Sequence, residues 1–411
     1  MYMNMTLPYD LVSMQRHTIR NASARGAVCN DGTPGTFYFR DCPRPASECK
    51  GWASDWLVVF AGGDSADACY DRATCAARSP NTTSSANYNA SLLSPAGIFS
   101  YSGEENPNFY GLRTVLVPYC SSDMWLGNTS TDELSFRGLA IATAVLQDLA
   151  SITFSPTPVP TAFGPGPSNT RLDQADSITL VGGVGLVSAL TGSDGGHLAT
   201  FVPTRPRQRL KVVCDGCALV PVAPYRSVVA QPCTSAADCP PASVLQRGLA
   251  VWRSHAPTPT TMPSIDWRDL LADRLLPAVA LPMLTQQPQF DETQLKANRA
   301  WPLSKANAAY IDAYGAAVRA TMYARPHAGR FSFSAACSPA QPDLLRDQNG
   351  FFCRPVSCVL QGQNRSTALH LSAAMSMFLK DPEFAPTCVD GCGALDCNAH
   401  CKKPSCWGRS E

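Results

Sequence analysis

"SITLVGGVGLVSAL", residues 177–190, reads as a buried strand, a glycine turn and a helix. Ile178, Thr179, Leu180 and Val181 suit an interior strand, Gly182 and Gly183 interrupt it, and "VGLVSAL" resumes as a small apolar helix. Two other runs, "DWLVVFAGG" (55–63) and "LRTVLVPYC" (112–120), have the same near-continuous hydrophobicity. That pattern belongs to parallel strands covered on both faces. Between residues 112–120 and 177–183 lies "LSFRGLAIATAVLQDLAS" (134–151), where Ile141, Val145 and Leu149 recur at helical spacing with Leu146 alongside. Strand, helix and strand in this order form a βαβ crossover. The chain is therefore expected to be α/β, with a mostly parallel sheet covered by helices on both faces.

The 411 residues are 45% apolar, the composition of a globular chain. Thirty-three basic and 32 acidic residues leave a net charge of +1. The densest basic stretch, "RPRQR" (205–209), is short and reads as a solvated loop, so no nucleic-acid partner is expected. No run reaches the roughly 18 apolar residues of a membrane span. Eighteen cysteines and six N-x-[ST] sequons (Asn4, Asn21, Asn81, Asn89, Asn128 and Asn364) suit a secreted, disulfide-bonded glycoprotein. The start, "MYMNMTLPYDLVS", has no signal-peptide core, so secretion is expected without a visible signal.

One large domain over residues 27–411 is expected, with residues 1–26 as an N-terminal extension. The Pro/Gly-rich "FSPTPVPTAFGPGPSNTR" (154–171) is a surface insertion, and 388–411 is a cysteine-rich tail. Residues 240–320 read as mainly helical, "ANAAYIDAYGAAVRATMYA" (306–324) most clearly. The "CDGC" at 214–217 is either a disulfide or half of a redox or zinc site; the tail cysteines with His400 pose the same choice. Their spacing favours disulfides, and no metal or cofactor is expected. Asp291 in "QFDETQL" follows an apolar run (275–286) that can deliver it to the carboxyl edge of the sheet. It is either a helix N-cap or a site carboxylate.

Several stretches together resemble the Notum and pectin acetylesterase family of secreted carboxylesterases. "AVCNDGTPGTFYFR" (27–40) is similar to its opening strand pair, and "WLVVFAGGDSADACYDRATCAAR" (56–78) to its G-G-W motif followed by two cysteines. "GIFSYSGEENPNFYGLRTVLVPYCSSDMWLGN" (97–128) is the most specific match. "LSFRGLAIATAVLQDL" resembles the crossover helix, "FDETQL" (290–295) the segment of the triad aspartate, and "SFSAACSPAQPDLL" (332–345) that of the triad histidine. The resemblance implies an α/β-hydrolase-like sheet and hydrolysis of acyl esters. A serine on a G-x-S-x-G elbow attacks, histidine acts as base, aspartate orients it, and backbone N–H groups hold the oxyanion.

Carried over residue by residue, the acid is present as Asp291 and the other two members are missing. The base position, three residues after Cys337, is Ala340. Without a gap, Val184 stands where the serine belongs; with one, about four residues are missing between Gly182 and Gly183. The implied oxyanion donors are the N–H groups around Gly63, Asp64 and Gly185, and Asp64 replaces the tryptophan of G-G-W. These departures imply a pseudo-hydrolase that binds an acylated polysaccharide, lipid or lipidated protein. The alternatives are an active esterase whose elbow is lost through a faulty gene model, a structural extracellular module and, more remotely, a zinc hydrolase.

Overall fold

The computed structural model describes residues 13–41, 55–93, 97–100, 106, 109–151, 171–191, 209–226, 233, 235–253, 266–323, 329–337, 355–359, 366–382, 387–391, 394–398 and 401. Fourteen strands are formed among them: β1 (Met14–Thr18), β2 (Thr36–Arg40), β3 (Asp55–Phe60), β4 (Ser91–Leu92), β5 (Arg113–Val117), β6 (Thr129–Ser130) and β7 (Ser135–Phe136), then β8 (Ser177–Gly182), β9 (Arg209–Asp215), β10 (Met283–Gln286), β11 (Arg330–Ser334), β12 (Val356–Val359), β13 (Ser366–Leu369) and β14 (Thr387–Val389). The helices are α1 (Arg72–Ala76), α2 (Gly138–Ser151), α3 (Val184–Thr191), α4 (Pro241–Trp252), α5 (Ala272–Ala278), α6 (Glu292–Ala297), α7 (Ala308–Tyr323) and α8 (Leu371–Lys380).

Twelve strands form one sheet in the order β13-β12-β14-β11-β10-β9-β8-β3-β5-β2-β1-β4. From β5 to β14 the neighbours run parallel. Antiparallel pairs flank this block at both ends. The expected α/β fold is thus present. The three strands read from the sequence sit side by side as β5, β3 and β8, with α2 crossing between β5 and β8.

Alternation along β3 shows why its residues are apolar on both sides. Trp56, Val58 and Phe60 enter one core cluster, whereas Leu57 and Val59 enter the cluster on the opposite face. On α2, Ile141, Val145 and Leu149 join the first cluster, as their spacing requires. Asp148 is buried on the same helix because Arg25 (2.7 Å) and the backbone N–H of Arg20 (2.9 Å) donate to it.

Some expectations need correction. The apolar run at 275–286 is not one strand: its start belongs to α5 and only Met283–Gln286 forms β10. Among the described residues of 240–320, α4, α5, α6 and α7 are helical, and the four-residue β10 stands between α5 and α6. In residues 27–40 only β2 is a full strand, and its hairpin partner is β1. The insertion at 154–170 lies outside the described residues.

Six disulfides join described cysteines: Cys29–Cys120, Cys69–Cys75, Cys214–Cys217, Cys233–Cys239, Cys337–Cys401 and Cys358–Cys388. "CDGC" is therefore a disulfide, and two of the bonds tie the tail to β12 and to the segment after β11. No described cysteine is free. No described helix is long and apolar enough to cross a membrane.

Candidate active site

The chain passes from β3 out to β5 and then returns across β3 to β8. In an open parallel sheet, that reversal opens a crevice at the carboxyl ends of the strands on either side of it. Gly62, Gly63 and Asp64 follow β3 there, and Gly183 and Val184 follow β8. Gly62 and Gly63 turn the chain with φ of 63° and 88°, a conformation that disfavours side chains. A Cβ on Gly183 would lie 3.4 Å from Asp64 Oδ1 and 3.5 Å from the carbonyl oxygens of Gly62 and Gly63. The two candidate loops thus meet, and a carboxylate stands at their junction.

The corner between β8 and α3 is relaxed. Neither Gly183 nor Val184 is among the residues with positive φ. A nucleophile elbow is a sharp, strained turn that lifts its side chain into the open. Val184 instead begins α3 and is completely buried. Gly185 packs directly on the backbone carbonyl of Met124, where any Cβ would collide. Ser188 is buried one turn further along α3.

Strain has collected in the facing loop. Ser122, Met124 and Trp125 all have positive φ, of 50°, 56° and 64°. Such conformations cost of order 1–3 kcal/mol each and persist where the surroundings enforce them. Asp123 supplies the enforcement: its carboxylate accepts hydrogen bonds from Ser121 Oγ (2.7 Å), the Trp125 N–H (3.1 Å) and the Gly138 N–H (2.6 Å). It thereby ties the loop to the start of α2. Burial raises its pKa to about 6 despite these bonds. Trp125 in turn covers Gly63, and the Tyr119 hydroxyl accepts from the Met124 N–H at 2.6 Å.

Asp291 lies past the end of β10, two strands from β8 and so roughly 10 Å across the sheet. It is buried and caps α6, accepting from the N–H groups of Thr293 (2.9 Å) and Gln294 (3.2 Å) through Oδ1. Its Oδ2 accepts from the side-chain amides of Gln287 and Gln294, each at 3.0 Å. Burial raises its pKa. Gln287 Oε1 in turn accepts from the Ala218 N–H (2.9 Å), which ties Asp291 to the segment after β9. Neither described histidine, His17 or His370, bonds to Asp291, and Ala340 lies outside the described residues.

Residues 9–155 match the family model described as pectinacetylesterase. The chain is 28% identical to palmitoleoyl-protein carboxylesterase notum2 of Xenopus laevis, over 69% of this chain and 53% of that protein. It is 27% identical to the Drosophila melanogaster palmitoleoyl-protein carboxylesterase NOTUM (75% and 42%) and 24% identical to the Homo sapiens one (79% and 60%). Both comparisons place the chain's similarity with the Notum and pectin acetylesterase family. It spans about half of the length of the curated relatives it matches.

Within this carboxylesterase family, an elbow after β8, an acid after β10 and a base after β11 would follow the hydrolase order of serine, acid and histidine. Gln287, Gln294, Met124 and Asp123 were not singled out as site residues in the sequence. Only the "YCSSD" match hinted at Asp123; the others gain their roles through contacts made by folding. A cleft of about 320 Å³ opens beside Gly62 at the ends of β3 and β5; Val184 and Asp291 do not line it. Among the described residues, no group of His, Cys, Asp and Glu is placed to hold a metal ion.

Proposed function

We propose that this chain is a catalytically impaired member of the Notum and pectin acetylesterase family, acting outside the cell by binding an acylated glycan, lipid or protein without cleaving it. The observation that carries the reading is the β8–α3 corner, where Val184 is buried at the start of a helix and no strained residue presents a nucleophile. Three further features support it. Asp64 puts a carboxylate beside the corner, where a developing oxyanion would be repelled. Asp291 has all its hydrogen bonds satisfied by backbone and glutamine amides. The base position holds Ala340. A lone acid adds little when nucleophile and base are lost, because triad members act as a unit.

The relatives are named for removing a palmitoleoyl group from protein, so an acylated partner is the natural ligand class. Disulfides throughout the chain support an oxidising, extracellular setting. The test is to incubate the purified secreted protein with an octanoylated peptide. Calorimetry is expected to register binding while mass spectrometry finds the ester intact. Release of octanoate would overturn the reading. Intact ester without binding would favour a structural module, a reading supported by the position of the cleft away from Val184 and Asp291. Sequencing the transcript across codons 175–195 checks the remaining alternative, an elbow serine lost only from the gene model.

A further inference from the structure

The cleft beside Gly62 is not used by the reading above, and its rim carries a sequon. Asn81, in "NTT" (81–83), is exposed and lines the cleft together with Thr82, Tyr38, Tyr88, Asp67 and Arg78. The Asn81 side-chain amide bonds to no described residue, whereas its backbone is pinned to the cleft wall. The Tyr88 hydroxyl donates to its carbonyl oxygen at 3.0 Å, and the Tyr38 hydroxyl donates to that of Asn89 at 2.9 Å. By contrast, Asn128 is half-buried and its Oδ1 accepts from Arg137 at 3.1 Å.

We propose that Asn81 is N-glycosylated and that its first N-acetylglucosamine seats in this cleft, so that the chain's own glycan fills it. The inference rests on the extracellular reading, because the modification is made in the secretory route. In the transfer, Asn81 Nδ2 attacks C1 of a lipid-diphosphate-linked oligosaccharide. The C1–O bond to phosphate breaks, the Nδ2–C1 bond forms, the amide loses one proton, and the lipid diphosphate leaves. The chemistry of the cleft suits a sugar. Tyrosine rings pack on the apolar face of a pyranose, while Thr82 and the Asp67–Arg78 pair (3.2 Å) offer hydrogen bonds to hydroxyl and acetamido groups. At about 320 Å³ the cleft is at the small end of ligand sites, the scale of a single sugar.

The test uses the full chain expressed in a secretory eukaryotic host, with Asn21 as internal control because it is exposed and outside the cleft lining. Peptide mass spectrometry is expected to find glycan on both asparagines. Under native conditions, peptide N-glycosidase should release the Asn81 glycan roughly tenfold more slowly than that on Asn21. Hydrogen exchange over residues 86–92 should speed up in Asn81→Gln and stay unchanged in Asn21→Gln. Glycan on Asn21 with none on Asn81 would overturn the proposal and leave the extracellular reading standing. Equal release rates, or unchanged exchange in Asn81→Gln, would overturn seating in the cleft. Absence of glycan from both would overturn the proposal together with the extracellular reading.

Discussion

The Asp64 carboxylate stands 3.4 Å from the point where a side chain on Gly183 would begin. That separation is ordinary van der Waals contact, so a small side chain fits there. It would meet a negative charge where a hydrolase elbow needs an imidazole and N–H donors. Gly183→Ser is therefore expected to fold and to remain inert. Labelling by a serine-reactive fluorophosphonate should stay at background; strong labelling would mean that a base is within reach after all.

Gly185 is fixed by a different contact. Its Cα faces the Met124 carbonyl, and the Met124 loop is held by the Asp123 bonds. Gly185→Ala gains about 1 kcal/mol of helix propensity and loses about 1–3 kcal/mol to overpacking. The expected net effect is a lower urea midpoint. A midpoint equal to or above that of the unaltered chain would show that the loop gives way easily.

The role of Asp291 in stability can be separated from catalysis. Asp291→Ala removes a helix cap worth about 1 kcal/mol and leaves buried glutamine amides unpaired at about 1–3 kcal/mol. A loss of about 2–3 kcal/mol in denaturant unfolding is expected, with no change in ester turnover. A drop in turnover without loss of stability would identify Asp291 as a working catalytic acid.

Asp123 makes stability depend on pH. Its folded pKa of about 6 exceeds the ordinary 3.8, so the folded chain holds a proton that the unfolded chain has released. Its contribution is fully present below about pH 4 and is lost as pH rises through 6. The shift corresponds to roughly 3 kcal/mol at most. Asp291 is shifted in the same direction. His17, whose pKa burial lowers, acts in the opposite direction over this window. The test is therefore the difference between chains. From pH 5 to pH 7.5 the melting temperature of the unaltered chain should shift downward relative to that of Asp123→Asn, and equal shifts would contradict the assignment.

The parts of the fold legible in the sequence are those with local cause. β3, β5 and β8 announce themselves because strands buried on both faces must be apolar at every position. α2 does so because Ile141, Val145 and Leu149 fall on one helical stripe. β1, "MQRHT", is half-exposed near the sheet margin and carries no such signal. β10 is four residues long and follows directly on α5, so its run read as a longer strand. At the candidate site, the positions of Asp291 and of the β8–α3 corner are reached by matching ordered motifs. Gln287, Gln294 and Met124 are not, because nothing in their own neighbourhood reveals that Asp291 or Gly185 packs against them.

Hydrolysis of p-nitrophenyl acetate and p-nitrophenyl octanoate by the purified protein tests the central claim most directly. The buried Val184 corner, Asp64 and Ala340 together predict rates indistinguishable from an Asp291→Ala control, with no acyl-enzyme burst. Saturable turnover that a fluorophosphonate abolishes would contradict the account.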